Sequence, residues 1–237
     1  MMCIVPLAGP DLLHPTLGLK PLMAVDGRPL VETALTGRPW WRQGRLRPDG
    51  LVFVLRRDLP AGETLEAVLR QRFPGAAFVW LGELSGGALL SALAGTALLR
   101  RPEEPLCIDL VDLLYESVDP IEERFAADPA LAAVVPWFES NEDCYSYLRM
   151  DAAGRVTEAV EKRVISSCAS AGSYLFRDAA TWLEAAAHSI RHRDRLGCRG
   201  ALFVCPAMTG LIEAGRSVVG MPVDHVRPIT KLFHPDG

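Results

Sequence analysis

Lys20 sits directly before Pro21 in "GLKPLMAVDGRPLVETAL" (Gly18 to Leu35). An ammonium group beside a rigid ring can be held towards a phosphate as a point charge, although an ordinary surface lysine has the same composition. Asp109 and Asp112 close an apolar run in "PLCIDLVDLLYES" (Pro105 to Ser117). Carboxylates at the carboxyl end of a strand can hold Mg²⁺ together with phosphate oxygens; helix-capping or turn acids are the other reading. Glu161 and Lys162 are adjacent at the end of a third run, "GRVTEAVEKRVISSCASAGSYLF" (Gly154 to Phe176). There a carboxylate could accept from sugar hydroxyls while the lysine holds a phosphate. Gly172 opens the next strand, where a missing side chain lets a ligand approach.

A fourth place is the loop "LAGPDLLHPTLGLKPL" (Leu7 to Leu22), which follows the apolar run Cys3-Ile4-Val5-Pro6. The exit of a first strand at the carboxyl edge of a sheet is where α/β proteins cradle phosphates. Such a cradle needs glycines, so that backbone N–H groups can close on the anion. Here Gly9 is followed by Pro10, which has no N–H, and Asp11, which repels phosphate.

These residues need a scaffold. Strand-like runs at Cys3–Leu7, Leu51–Leu55, Ala77–Leu81 and Leu106–Leu110 alternate with helical patterns at Pro29–Thr36, Glu63–Phe73 and Gly86–Arg100. That rhythm predicts a mostly parallel sheet covered on both faces. After Pro129 the strand-like runs Leu131–Phe138, Tyr145–Met150, Arg155–Glu161 and Gly172–Phe176 come close together, with a turn at "MDAAGRV" and a helix at Ala179–Ile190. The second half therefore reads as strand additions and hairpins on the same sheet. No linker or repeat divides the chain, so residues 1–237 are expected to form one domain with a three-layer α/β/α architecture and a mixed, mostly parallel central sheet.

Bulk composition excludes several classes. With 49% apolar and 23% charged residues the chain is of ordinary globular type. A net charge of -4 without a basic stripe argues against a nucleic-acid partner. No apolar run spans a bilayer and the N-terminus lacks a basic region before its apolar stretch, which predicts a cytoplasmic protein with no membrane partner. The six cysteines form no C-x-x-C pair and read as reduced, buried thiols. His188 and His192 have helical i, i+4 spacing but flank arginines and lack a third ligand, so they read as solvated helix residues. A dinucleotide-binding oxidoreductase would need G-x-G-x-x-G after the first strand, which is absent.

Taken together and in order, Leu7-Ala8-Gly9, Lys20-Pro21-Leu22, Gly27-Arg28-Pro29-Leu30, Asp112, Glu161-Lys162 and Ala171-Gly172-Ser173-Tyr174 resemble the sugar-1-phosphate nucleotidyltransferases with the GT-A-like nucleotidyltransferase fold. The bacterial branch linked to capsule and surface-polysaccharide synthesis is particularly similar, and "SYLRMDAAGRVTEAVEKRVISSCASAGSYLF" is the strongest continuous match. The resemblance implies transfer of a nucleotidyl group from a nucleoside triphosphate to a sugar-1-phosphate, with release of pyrophosphate. It implies catalytic roles for Lys20 and Asp112. Leu7, Ala8, Gly9, Gly86 and Gly87 would bind the nucleotide. Glu161, Lys162 and Gly172 would seat the sugar phosphate. Mg²⁺ would rest on Asp112, with Asp224 as a second ligand. A homo-oligomer is allowed but not specified.

Three departures accompany this resemblance. The family's loop after L-A-G carries further glycines and an arginine that grips the triphosphate, whereas "PDLLHPTLGL" is shorter and has no arginine. Where relatives carry N-G-E-F-Y, "CRGALFV" (Cys198 to Val204) lacks the Asn and has Ala201 in the place of the Glu. Where the nearer relatives carry G-T-P-x-D-L, "RPITKL" has Lys231 in the place of the acid. The expectation is weak or absent transfer, with triphosphate binding hurt more than sugar-phosphate binding. The alternative is a non-catalytic member that binds a sugar phosphate or nucleotide, or regulates a polysaccharide pathway.

Overall fold

The computed structural model describes residues 1–229. Lys231, one of the three departures, lies outside the described residues.

The long strands are β1 (Met2–Pro6), β2 (Leu51–Arg56), β3 (Ala77–Leu81), β4 (Leu106–Asp109), β5 (Leu113–Glu116) and β6 (Leu131–Glu139). They are followed by β7 (Ser146–Met150), β8 (Val156–Glu161), β9 (Cys168–Ser170), β10 (Ser173–Phe176), β11 (Ser217–Pro222) and β12 (Asp224–Pro228). The helices that cover them are α1 (Leu30–Gly37), α2 (Gly62–Arg72), α3 (Ala88–Gly95), α4 (Ile121–Ala127), α5 (Ala179–Arg191) and α6 (Met208–Glu213). The apolar runs thus become strands within a residue or two of where they were expected. The helix expected from Pro29 starts one residue later, at Leu30, with Pro29 as its extended N-cap. The pattern expected over Gly86–Arg100 is split into α3 and a 3₁₀ turn at Thr96–Leu98.

Ten strands form one sheet in the order β8-β7-β9-β6-β10-β4-β1-β2-β3, with β11 added beside β6. β1 lies parallel to β2 and β4, and β2 parallel to β3. β10 runs antiparallel to both β4 and β6 and joins the two halves. By strand direction β1, β2, β3, β4, β6, β7 and β11 agree, and β8, β9 and β10 oppose them, so the sheet is mixed and mostly parallel.

Alternation along each strand feeds two cores. Cys3 and Val5 of β1 face the side packed by α1 and α2, with Trp40, Phe53 and Phe73. Met2 and Ile4 face the side packed by α3, α5 and α6, with Phe176 and Trp182. α3 packs closely because Gly95 has no side chain: a Cβ there would stand 2.7 Å from Ile4 Cγ2. β5 and β12 form a separate antiparallel ribbon. No helix among the described residues is long and apolar enough to cross a membrane. Of the cysteines expected to be buried, Cys3, Cys107 and Cys205 are, Cys168 and Cys198 are partly so, and Cys144 is exposed.

Candidate active site

A cleft of about 490 Å³ opens at the carboxyl ends of β1 and β4. Leu7, Ala8 and Gly9 form one wall as the chain leaves β1. Lys20 and Asp112 lie at its base, and Glu161, Lys162 and Gly172 close the opposite side. Gly87 lines it from the turn before α3. The residues expected to work together, spread over most of the chain, therefore share one cleft, with two exceptions.

Gly86 lies behind the wall, where its carbonyl accepts from the Leu202 N–H at 2.8 Å. Asp224 is placed opposite Glu116 in the β5–β12 ribbon, whereas Leu113, next to Asp112, is opposite Pro228. Asp224 thus sits at the far end of the ribbon from Asp112 and does not line the cleft. Strand rise of about 3.3 Å per residue puts the two carboxylates too far apart to share an ion.

Lys20 is 5% exposed and forms an ion pair with Asp112, with Asp11 Oδ2 at 3.8 Å from its Nζ. Burial pushes its ammonium pKa down, but the two carboxylates outweigh that and hold it above the usual lysine value. Burial pushes Asp112 up, against the pull of Lys20, and Asp11 adds to the rise. Asp112 nonetheless keeps 37% of its side chain open. Glu161 accepts from the Ser146 hydroxyl, and burial holds it above the ordinary carboxylate range against Ser146 and Lys162. The Lys162 ammonium lies 5.4 Å from the Phe203 ring centre, within cation–π range. Lys162 has φ +50°, a left-handed conformation uncommon for a residue with a side chain.

The far part of the loop after Gly9 uses its amides internally. A short hairpin pairs Leu13–His14 with Gly18–Leu19, and the Lys20 N–H donates to the Leu12 carbonyl at 2.9 Å. His14 Nδ1 accepts from the N–H groups of Thr16 and Leu17, both at 3.2 Å. Those donors are turned into the hairpin rather than towards a ligand.

Magnesium binds through one or two carboxylates and takes its remaining oxygens from phosphates and water. Asp112 and Asp11, both close to the same ammonium, supply such a pair and fit that ion. No group of three or more His, Cys, Asp or Glu forms a metal cluster among the described residues.

Asp109 and Asp112 close the same apolar run, and of the two the resemblance gives the metal to Asp112 alone. The structure separates them. Asp109 is fully buried and accepts from Arg38 Nε at 2.7 Å and Nη2 at 2.9 Å. Arg38, never singled out, is 1% exposed and stacks 4.0 Å from the Tyr115 ring centre. Cys144, Tyr145, Ala201 and Phe203 also line the cleft without having been anticipated as lining. Their types carry no chemical signature, and only the fold brings them there; the one available signal was that Ala201 stands where a glutamate was expected.

No protein-family model and no curated protein sequence matches the chain. Solved structures do. A nucleoside-diphosphate-sugar pyrophosphorylase from Vibrio cholerae RC9 superposes with a TM-score of 0.77 at 17% identity, over 95% of this chain and 94% of that one. A UDP-glucose pyrophosphorylase complexed with UDP-glucose superposes with a TM-score of 0.70 at 16% identity, over 98% and 95%. At these identities the likeness speaks for the fold. The order of strands, the helices on both faces and the cleft at the carboxyl edge agree with it, and the chain has the nucleotide-diphospho-sugar transferase fold.

Proposed function

We propose that this chain is a sugar-phosphate nucleotidyltransferase, formed as one domain over residues 1–237. A sugar-1-phosphate oxygen attacks the α-phosphate of a nucleoside triphosphate and pyrophosphate leaves. The observation that carries the reading is the meeting of Lys20, Asp112, Glu161, Lys162 and Gly172 in one cleft. Glu161 accepts from sugar hydroxyls and Lys162 holds the sugar's phosphate. Gly172, at φ +77° with no Cβ, leaves room for the sugar ring. Lys20 faces the charge that develops on the transferred phosphoryl group. Such reactions ask mainly for alignment and for positive charge against the phosphate oxygens. Mg²⁺ held by Asp112 and Asp11 would supply further positive charge there. A place in surface-polysaccharide synthesis and a cytoplasmic location rest on the sequence resemblance and on composition.

A specific observation favours a second reading, a non-catalytic sugar-phosphate binder. Asp11 adds negative charge beside Lys20 at 3.8 Å, the Thr16 and Leu17 amides are taken up by His14, and no arginine lines the cleft among the described residues. The deciding measurement is pyrophosphate release across the common nucleoside triphosphates and hexose-1-phosphates with Mg²⁺. Turnover lost in Asp112→Ala supports transfer. Sugar-phosphate binding with no pyrophosphate released from any pair supports the binder. Binding of neither ligand class removes both readings.

A further inference from the structure

Behind the cleft lies a polar cluster that reaches its lining only through the Val111 amide. Asp109, Arg38 and Ser173 do not line the cleft, yet each is buried, and the first is bonded to both of the others. Arg38 grips the Asp109 carboxylate with two parallel bonds, and the Ser173 hydroxyl donates to Asp109 Oδ2 at 3.0 Å. Tyr115 in turn donates to Ser173 Oγ at 2.8 Å. The remaining bond is local: the Val111 N–H donates to Asp109 Oδ1 at 2.9 Å.

Val111 is the informative residue. It is β-branched, yet its φ is +52°, a conformation that is a genuine outlier for that side-chain type. Such a state persists only where the surroundings over-determine it. Here the carboxylate of Asp109 holds the Val111 amide, and the Leu110 N–H donates to the Gly172 carbonyl at 2.9 Å. The reversal at Val111 comes one residue before Asp112 and sets the direction in which that side chain leaves the backbone.

We propose that Asp109, braced by Arg38 and Ser173, is a positioning residue that pins Val111 in its left-handed turn and so aims Asp112 at Lys20. The inference rests on the proposed function only for the purpose of that aim. The geometry itself is tested without a ligand. The bracing also ties Asp112 to β10 through Ser173, so both sides of the cleft share one buried carboxylate.

The chain has only three lysines, Lys20, Lys162 and Lys231, which makes amine acylation a clean probe. Lys20 is buried behind Asp112, and exposed Lys162 serves as an internal reference. The variant is Arg38→Met/Asp109→Leu, which removes both charges together and leaves neither buried alone. With acetic anhydride and mass spectrometry, Lys20 is expected to react at least tenfold faster relative to Lys162 than in the parent. Adding Val111→Gly, which adopts positive φ without penalty, is expected to bring the ratio back to within about threefold. A simple loss of core packing would not be rescued by that glycine. An unchanged Lys20 ratio in a folded variant, or no recovery with glycine, overturns the proposal. Should the pair variant not fold, Ser173→Ala is read the same way: about a twofold faster ratio is expected, and an unchanged one overturns the proposal. Glucose-1-phosphate binding by calorimetry is measured alongside. A parent that binds no glucose-1-phosphate counts against the proposed ligand and does not alter what the acylation ratio says about Asp109.

Discussion

Replacing Gly87 by alanine is a severe test of how the cleft wall is built. Gly87 has φ +119° and ψ 170°, a region essentially reserved for glycine. Forcing a side chain there costs on the order of 1–3 kcal/mol. A Cβ would also stand 2.2 Å from the Leu202 carbonyl oxygen and 2.7 Å from its amide nitrogen. Both are backbone atoms and cannot swing aside. To restore ordinary contact, Leu202 must retreat by about 1 Å, which strains its bonds to the Gly86 carbonyl and from the Leu89 N–H, 2.8 and 3.1 Å long. Each is worth about 0.5–1.5 kcal/mol. The sum is about 2–6 kcal/mol, or roughly 10 °C in Tm for a chain of this size. Leu202 lies between Ala201 and Phe203, which both line the cleft, so its retreat also moves that wall. The assay is thermal unfolding followed by circular dichroism, with urea unfolding as a check on the slope. A Tm within about 2 °C of the parent, a fifth of the expected shift or less, would falsify the argument, because it would mean that the turn and Leu202 yield at almost no cost.

Arg38→Met alone is expected to destabilise by about 3–5 kcal/mol, since it strands a buried Asp109 carboxylate, whereas Arg38→Met/Asp109→Leu should cost much less; urea denaturation of both variants checks the difference, and equal losses would refute it. Burial raises Glu161, so the folded state keeps its proton after the unfolded state has released it. Its contribution is therefore present below the ordinary carboxylate range and is lost as pH rises through that range towards the folded value. Glu161→Gln is expected to remove that decline, seen as a stability difference from the parent that changes as pH rises above the ordinary carboxylate range; a constant difference would contradict it.

The sheet was legible because apolar runs such as Leu51–Leu55 are long enough, and separated enough, to be nothing but buried strands. The cleft was legible where residue types and spacing carry a chemical mark in one dimension. Lys20 before a proline, the Glu161–Lys162 pair and Gly172 are such marks, and the structure brings them together. The resemblance marked Asp112, but the role of Asp109 left no mark, because it depends on Arg38, 71 residues earlier in the chain. Asp224 was misjudged for a related reason. Its placement is set by ribbon register against Glu116, a long-range pairing that local pattern does not encode. Pro10 and Asp11 set the loop after Gly9 apart from a glycine-rich cradle, but the hairpin at Leu13–Leu19 went unread, since it pairs residues four to six apart without an apolar pattern.

The insertion of β10 between β4 and β6 has a consequence for biosynthesis. The lysine–aspartate side of the cleft is built from residues up to Asp112, and the glutamate–lysine side from the hairpin Ser146–Glu161, whose partners are only 15 residues apart. During synthesis both sides can emerge early, the second by local contacts alone. Neither faces the other until Ser173–Phe176 leaves the ribosome and pairs with β4 on one edge and β6 on the other. Until then β4 presents an open edge, the kind of surface that recruits other chains. The strand that completes the cleft is thus also the one that covers the open edge of β4, so a weakened Ser173–Phe176 would be expected to lower folding yield as well as open the cleft.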